Sequence, residues 1–281
     1  MRPLRAALVG VLALTLAGAV ACAPAEPPDP GPQPRVSPPV ILEEGVLRVG
    51  IDFSYPPYAG RDEDREAGID VDVASALASE LALEPVFVEV AHEDAAEALQ
   101  RREVDIVMSV PFTEAAVLGA TFAGWYTESG PALFASEETT VAPQELARKR
   151  IAVQRGSAAF WDLAYEYGED GLLVTETLRG AFEALEAGEA DVVAGDALVS
   201  AYIARGFEGV RFAGQLEPAT PIGIVVSPEA TDLEPVIREA LDVLAAGGVL
   251  DAIRAKWVYD LPPLDIGTEI EAGAANDAGG E

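Results

Sequence analysis

Basic residues are scarce in this chain: 18 Lys and Arg stand against 48 Asp and Glu, for a net charge of −30 over 281 residues. Binding a phosphate backbone needs clustered cations, so this balance excludes a nucleic-acid partner. One cysteine and one histidine, Cys22 and His92, exclude a disulfide framework and any Cys/His zinc site. The aspartates form no D-x-[DN]-x-[DN]-G loop for calcium, and no resident metal or cofactor is expected. No G-x-S-x-G turn occurs, and neither His92 nor Cys22 belongs to a nucleophilic triad. General disorder is excluded too, because half of the residues are hydrophobic, enough apolar surface to offset the entropy of an ordered chain.

The two ends are read apart from the body. Arg2 and Arg5 precede an apolar run over 6–21, shorter than the roughly 20 residues that span a bilayer. This is a secretory signal pattern. Its end, Ala19-Val20-Ala21-Cys22, resembles the bacterial lipoprotein signal, in which the cysteine is lipidated and becomes the first residue. Ordinary cleavage after Ala21, leaving an idle thiol, is the alternative. Residues 22–40 are a linker whose positions 23–39 hold eight prolines, an extended spacer. Residues 262–281 carry five acidic and no basic residues with much Gly and Ala, and are expected to be a disordered tail.

Between these ends, apolar runs alternate with amphipathic segments. Val46-Leu47-Arg48-Val49-Gly50-Ile51 reads as a buried strand, and 70–83 as a helix with Val73, Ala74, Leu77 and Leu81 on one face. A strand at 85–90, a helix at 93–102 and a strand at 104–108 follow, the alternation of a doubly wound α/β sheet. The unit then recurs. Glu97-Ala98-Leu99 with Glu103-Val104-Asp105-Ile106-Val107 matches Glu183-Ala184-Leu185 with Glu189-Ala190-Asp191-Val192-Val193, 86 positions on. Leu47-Arg48-Val49 and Ile151-Ala152-Val153 are the upstream strands of the two copies. Two units of similar design imply two similar lobes. Open α/β sheets bind ligands beyond the carboxyl ends of their strands. Those ends hold Asp52 to Tyr55 and Ser109 to Pro111 in one lobe, and Arg155 to Ser157 and Gly195-Asp196 in the other. Further on, Ile222 to Val226 reads as a strand, and Leu233 to Leu244 and Val249 to Trp257 as helices separated by Gly247-Gly248.

These residues resemble the family 3 extracellular solute-binding proteins, the amino-acid-type receptors of ABC importers. The resemblance is carried by Leu47 to Asp52 with Tyr55-Pro56-Pro57-Tyr58, by Gly68-Ile69-Asp70-Val71-Asp72, and by Val104 to Val107. Trp125-Tyr126-Thr127-Glu128-Ser129-Gly130, Val153 to Ser157 and Ala190 to Asp196 extend it over nearly all of 45–260. It implies a two-lobed clamshell of the periplasmic-binding-protein type II fold. Each lobe is then a mostly parallel sheet flanked by helices, joined by two crossover strands near 129–135 and 219–223. The domains expected are 1–21 signal, 22–40 linker, 41–130 first part of lobe 1, 131–221 lobe 2, 222–261 second part of lobe 1, and 262–281 tail.

The resemblance also implies a ligand site. Asp52 and Asp196 stand where the family has cleft acids, the second pairing with a ligand ammonium; either is also a natural helix cap. Tyr55 matches an aromatic that lies flat on the ligand, or is a core aromatic under its loop. Ser109, Thr113 and Ser157 offer hydroxyls and backbone N–H groups, with Ser157 equally well placed as a cap. His92 falls at a second aromatic platform, or is a solvated loop residue. The family's Thr-x-x-Arg, whose arginine grips the α-carboxylate, is here Thr113-Glu114-Ala115-Ala116, and nothing from 109 to 121 is basic. Alanine cannot replace a guanidinium fork. The expected ligand is therefore a small polar, cationic or zwitterionic metabolite other than a standard free α-amino acid. The partners expected are that ligand, an ABC permease and ATPase, and a membrane reached through the lipid anchor, for a monomer outside the cytoplasm. Two alternatives stand beside this: a cyclohexadienyl (arogenate/prephenate) dehydratase-like enzyme with Glu128 or Asp196 as general acid, and a sensory lipoprotein.

Overall fold

A computed structural model describes residues 33–62, 65–136, 141 and 143–267. The signal segment and Cys22 lie outside the described residues, as does the chain beyond Gly267.

The first lobe opens with β1 (Val46–Ile51), a hairpin of β2 (Gly60–Asp62) and β3 (Arg65–Ala67), and helix α1 (Ile69–Glu80). It continues through β4 (Glu84–Glu89), α2 (Ala95–Gln100), β5 (Ile106–Pro111), the single turn α3 (Phe112–Ala115) and β6 (Thr121–Ser129). The chain then enters a second sheet at β7 (Pro131–Ala135), followed by β8 (Ile151–Gln154), α4 (Ala158–Tyr167) and β9 (Leu172–Thr175). Helix α5 (Leu178–Glu186), β10 (Val192–Asp196), α6 (Ala197–Ala204) and β11 (Arg211–Gln215) complete that lobe. It returns through β12 (Thr220–Val226) to α7 (Glu234–Ala246) and α8 (Val249–Val258).

The two sheets have matching orders, β4-β1-β5-β12-β6 and β9-β8-β10-β7-β11. In each, the first three strands are parallel and the fourth runs against both neighbours. The reversed strand is in both cases the arriving crossover, β12 in the first sheet and β7 in the second. Both faces of the first sheet are covered at its centre, so β5 and β12 are buried along most of their length, while the edge strand β4 alternates between exposed and half-buried residues. Along β5, Ile106 and Met108 join the core beneath α1 and α7, while Val107 joins a second core with Leu99 and Phe122. The main apolar cluster takes in residues of both lobes and of the crossovers, among them Ala132, Ala219 and Leu264.

The repeat seen in the sequence is a repeated piece of geometry. Each copy runs helix, tight stop, aspartate, strand. The aspartate accepts the backbone N–H at the start of the neighbouring strand: Asp105 from Arg48 at 2.8 Å, and Asp191 from Arg150 at 2.8 Å. Each aspartate also donates its own N–H to the carbonyl of that same arginine.

Several boundaries differ from the sequence reading. The helix expected over 93–102 is a 3₁₀ turn at His92–Asp94 followed by α2, and the strand expected at 104–108 runs 106–111. Helix α1 stops at Glu80 because Ala82 turns left-handed and Leu83 N–H bonds back to Ala78. The linker's end is folded: Val36 is buried, and Arg35 donates its N–H to Leu81 while its side chain pairs with Glu80 and Glu239. The first residues of the expected tail are also ordered against the body, with Leu264 buried and Asp265 bonded to Gln215 and Ala219.

Candidate functional site

The carboxyl ends of β1 and β5 and the first turn of α1 converge. Gly68 precedes α1 with φ +151, and a Cβ there would lie 2.1 Å from the Tyr58 carbonyl. Only glycine lets the 55–58 loop lie against the helix start, where Asp70 N–H donates to Tyr58 O at 2.9 Å. That approach brings Tyr58 over the site. Its ring stacks on Tyr55, 5.9 Å away at 16°, and Tyr55 remains 55% exposed. Tyr55 is thus an open aromatic surface backed by a buried one, rather than a core residue.

Asp52 follows β1 and accepts from Ser54 N–H at 2.8 Å and Ser54 Oγ at 2.6 Å. Partial burial pushes its pKa up, but the Ser54 bonds and the backbone N–H of His92 outweigh it and hold the carboxyl below its ordinary value. Asp52 is therefore an anion throughout the neutral range.

Asp70 is buried, at 1% exposure. Its two oxygens accept from Ser109 Oγ at 2.7 Å and Tyr126 OH at 2.6 Å, while Ser109 N–H donates to the same Tyr126 oxygen at 2.9 Å. Ser109 adopts φ +58 at the end of β5, a conformation costly for a residue with a Cβ and held here by those bonds. Burial raises the Asp70 pKa to about 6, against the two hydroxyl bonds, and the nearby Asp52 charge raises it further. Ser109 thus stands where expected, but its hydroxyl is spent on Asp70.

From the second lobe, Asp196 closes β10. One oxygen caps α6 by accepting Val199 N–H at 2.9 Å; the other accepts Ser129 Oγ at 2.6 Å. The side chain is thus a helix cap that also accepts from the end of β6, between the two lobes. Burial raises its pKa, opposed by Ser129 and the Val199 and Leu198 amides. Tyr58 lies between the carboxylates: burial, then Asp196, and more weakly Asp70, push its phenol well above its ordinary pKa.

The remaining expected residues are placed less centrally. Ser157 caps α4, accepting from Phe160 N–H at 3.1 Å and donating to Gln154 O at 2.9 Å. It shares the sheet edge of β10, but no hydrogen bond among the described residues joins it to the carboxylates. Thr113 and Ala116 are exposed around α3. His92 Nε2 lies 2.8 Å from Glu114 Oε2, so the segment that carries arginine in the family pattern presents a carboxylate instead. Arg155 is committed to Glu169 at 2.8 Å and Glu176 at 3.5 Å, within its own lobe. Glu128, one of the two acids of the enzyme alternative beside Asp196, is buried against Arg254 at 3.2 Å and Leu264 N–H at 3.1 Å.

The structure therefore assembles Asp52, Tyr55, Asp70, Tyr58, Ser109, Tyr126, Ser129 and Asp196. The sequence reading had not counted Asp70, Tyr58, Tyr126 or Ser129 as site residues. Asp70 and Tyr126 carried a signal, a charge and a phenol in segments otherwise due for burial, which need partners. The hydrogen bonds that Asp52, Asp70 and Asp196 accept come from hydroxyls and backbone amides.

A two-lobed α/β clamshell with acids and tyrosines at facing strand ends defines a class, that of periplasmic binding proteins. Comparison makes the class specific: residues 47–260 match the model of the bacterial extracellular solute-binding proteins, family 3, and the chain belongs to that family. It is similar to an arginine-binding protein of Corynebacterium glutamicum, 28% identical over 92% of this chain and 93% of that one. An L-arginine-binding protein of Pseudomonas aeruginosa is 28% identical over 78% of this chain and 90% of that one. Among solved structures, an ancestral cationic amino acid solute-binding protein matches with a TM-score of 0.66 at 26% identity, covering 76% of this chain and 96% of that one. The chain is thus a solute-binding protein of the extracytoplasmic space, and among the described residues no helix is long and apolar enough to cross a membrane.

Proposed function

We propose that this protein is the receptor of an ABC importer, held at the membrane through a lipid on Cys22, acting as a monomer and closing its lobes over a small organic cation that lacks an α-carboxylate. One observation carries the ligand reading. Asp52, Asp70 and Asp196 accept hydrogen bonds from hydroxyls and backbone amides, and the segment where the family pattern has its carboxylate-gripping arginine holds exposed Ala116 and the Glu114–His92 pair instead. A charge-assisted bond from a ligand cation is roughly twice as strong as a neutral one, so Asp52 and Asp196 favour an ammonium or guanidinium. For a ligand carboxylate, by contrast, that segment offers no basic fork and carries the acidic Glu114. The arginine-binding relatives support the cationic half of this reading. Tyr55 supplies a face on which a planar guanidinium stacks.

Titration calorimetry with L-arginine and its decarboxylated form, agmatine, tests the reading. Agmatine is expected to bind at least about tenfold more tightly. L-arginine binding as tightly as agmatine, or more so, overturns it. For the anchor, intact-mass measurement of membrane-extracted protein is expected to show acyl chains on Cys22, and Cys22→Ser to release the protein from membranes; a non-acylated residue 22 overturns that part.

A further inference from the structure

The chain does not leave the body at the end of α8. Residues 261–267 run on across both crossovers between the lobes. On the first-lobe side the segment is buckled by Arg254, whose guanidinium donates to the carbonyls of Leu261 and Pro262 and pairs with Glu128, the penultimate residue of β6. Glu128 in turn accepts Leu264 N–H at 3.1 Å. Leu261 and Leu264 are buried, at 5% and 8% exposure.

On the second-lobe side the anchor is Gln215, the last residue of β11. Its amide reads both backbone groups of Asp265: Oε1 accepts the N–H at 2.8 Å, and Nε2 donates to the carbonyl at 3.0 Å. The same Asp265 carbonyl accepts Ala219 N–H at 2.7 Å, inside the return crossover. Asp265 Oδ1 also holds Gly267 N–H at 3.0 Å, and a Cβ at Gly267 would come within 3.3 Å of Pro218. The segment therefore touches the end of β6, the end of β11 and the 216–219 linker at once. These are the places where backbone dihedrals must change if the lobes rotate.

We propose that residues 261–267 form a third strap between the lobes, that Gln215 is its second-lobe fastening, and that this fastening restrains how far the ligand-free lobes open. Two amide bonds between one side chain and one backbone residue are a small, exposed and replaceable link. A strap held by them resists opening without blocking it.

The test is an interlobe distance distribution by pulsed electron spin resonance, on the ligand-free full chain. Labels go on exposed Glu93→Cys and Ala158→Cys in a Cys22→Ser background. Gln215→Ala is expected to raise the population outside the main distance peak about tenfold. Gln215→Glu, which still accepts Asp265 N–H but no longer donates to its carbonyl, should fall between the two. A distribution unchanged in Gln215→Ala overturns the proposal. Loss of folding in both variants also overturns it, since Gln215 would then be a clamp of its own lobe and not of the hinge.

Discussion

Asp105 and Asp191 occupy equivalent places and make the same backbone bond, yet their acidities move in opposite directions. Asp105 is 6% exposed and accepts Leu42 N–H and Arg48 N–H, both at 2.8 Å. Burial raises its pKa against those two bonds. Asp191 stands at the surface, where hydrogen bonds from the Arg150 side chain and backbone lower its pKa. The same latch is thus costly to ionise in one lobe and favoured in the other. Asp105→Ala strands two inward-facing backbone donors and is expected to lose about 3 kcal/mol, whereas Asp191→Ala, whose donors reach water, is expected to lose about 1 kcal/mol. Urea midpoints of the two variants check this, and equal losses would contradict it. The aspartates were visible in the sequence as members of a repeat; their task was not, because each bonds an arginine 57 or 41 positions away. Asp70 was hidden for the same reason. Its partners Ser109 and Tyr126 are 39 and 56 positions distant, and only the sheet order brings them to one point.

At the level of elements, the two copies of the repeat end their helices with the same motif. After α2, Arg102 takes φ +56 and Glu103 N–H returns to Ala98 O at 2.9 Å; after α5, Gly188 takes φ +71 and Glu189 N–H returns to Ala184 O at 2.9 Å. This is a left-handed helix stop, which suits glycine and strains any residue with a Cβ. Arg102→Gly is therefore expected to stabilise the protein by roughly 0.5–1 kcal/mol, and Gly188→Ala to destabilise it by about 1 kcal/mol. Both are read from urea midpoints at unchanged slope. An effect of the same sign for the two would show that the stops are not equivalent. Helices and parallel strands were legible because their apolar periods are local. The reversal of β7 and β12 was not, since a buried strand has the same apolar run in either direction. Residues 262–267 read as part of a disordered tail because the five acids and the Gly/Ala content of 262–281 as a whole mask them. Leu261, Leu264 and Ile266, with the Asp265–Gly267 turn, were the signals of packing against the body.

For the molecule as a whole, the site is a local excess of negative charge within a chain of net charge −30, and its proton balance couples folding to binding. Asp70 titrates at about 6 in the folded protein because of burial, against an ordinary 3.8. Between these values the folded state keeps a proton that the unfolded state has released, so stability falls as pH rises through the window. Below pH ~4 the penalty is absent; above pH ~6 it is complete, and two pKa units amount to ~3 kcal/mol. Asp70→Asn cannot ionise and removes this dependence while keeping an oxygen for Ser109. The stability difference between the native protein and this variant should therefore move by ~3 kcal/mol to the native protein's disadvantage from pH 4 to pH 8. Chemical denaturation at the two pH values measures it, with the other carboxylates cancelling between the variants. A difference that does not change with pH would show that the buried carboxyl costs nothing to ionise. A cation arriving beside Asp52, Asp70 and Asp196 offsets that same cost. Binding of agmatine should accordingly tighten as pH climbs through 6, with proton release to buffer in calorimetry, and in Asp70→Asn that part of the pH dependence should vanish.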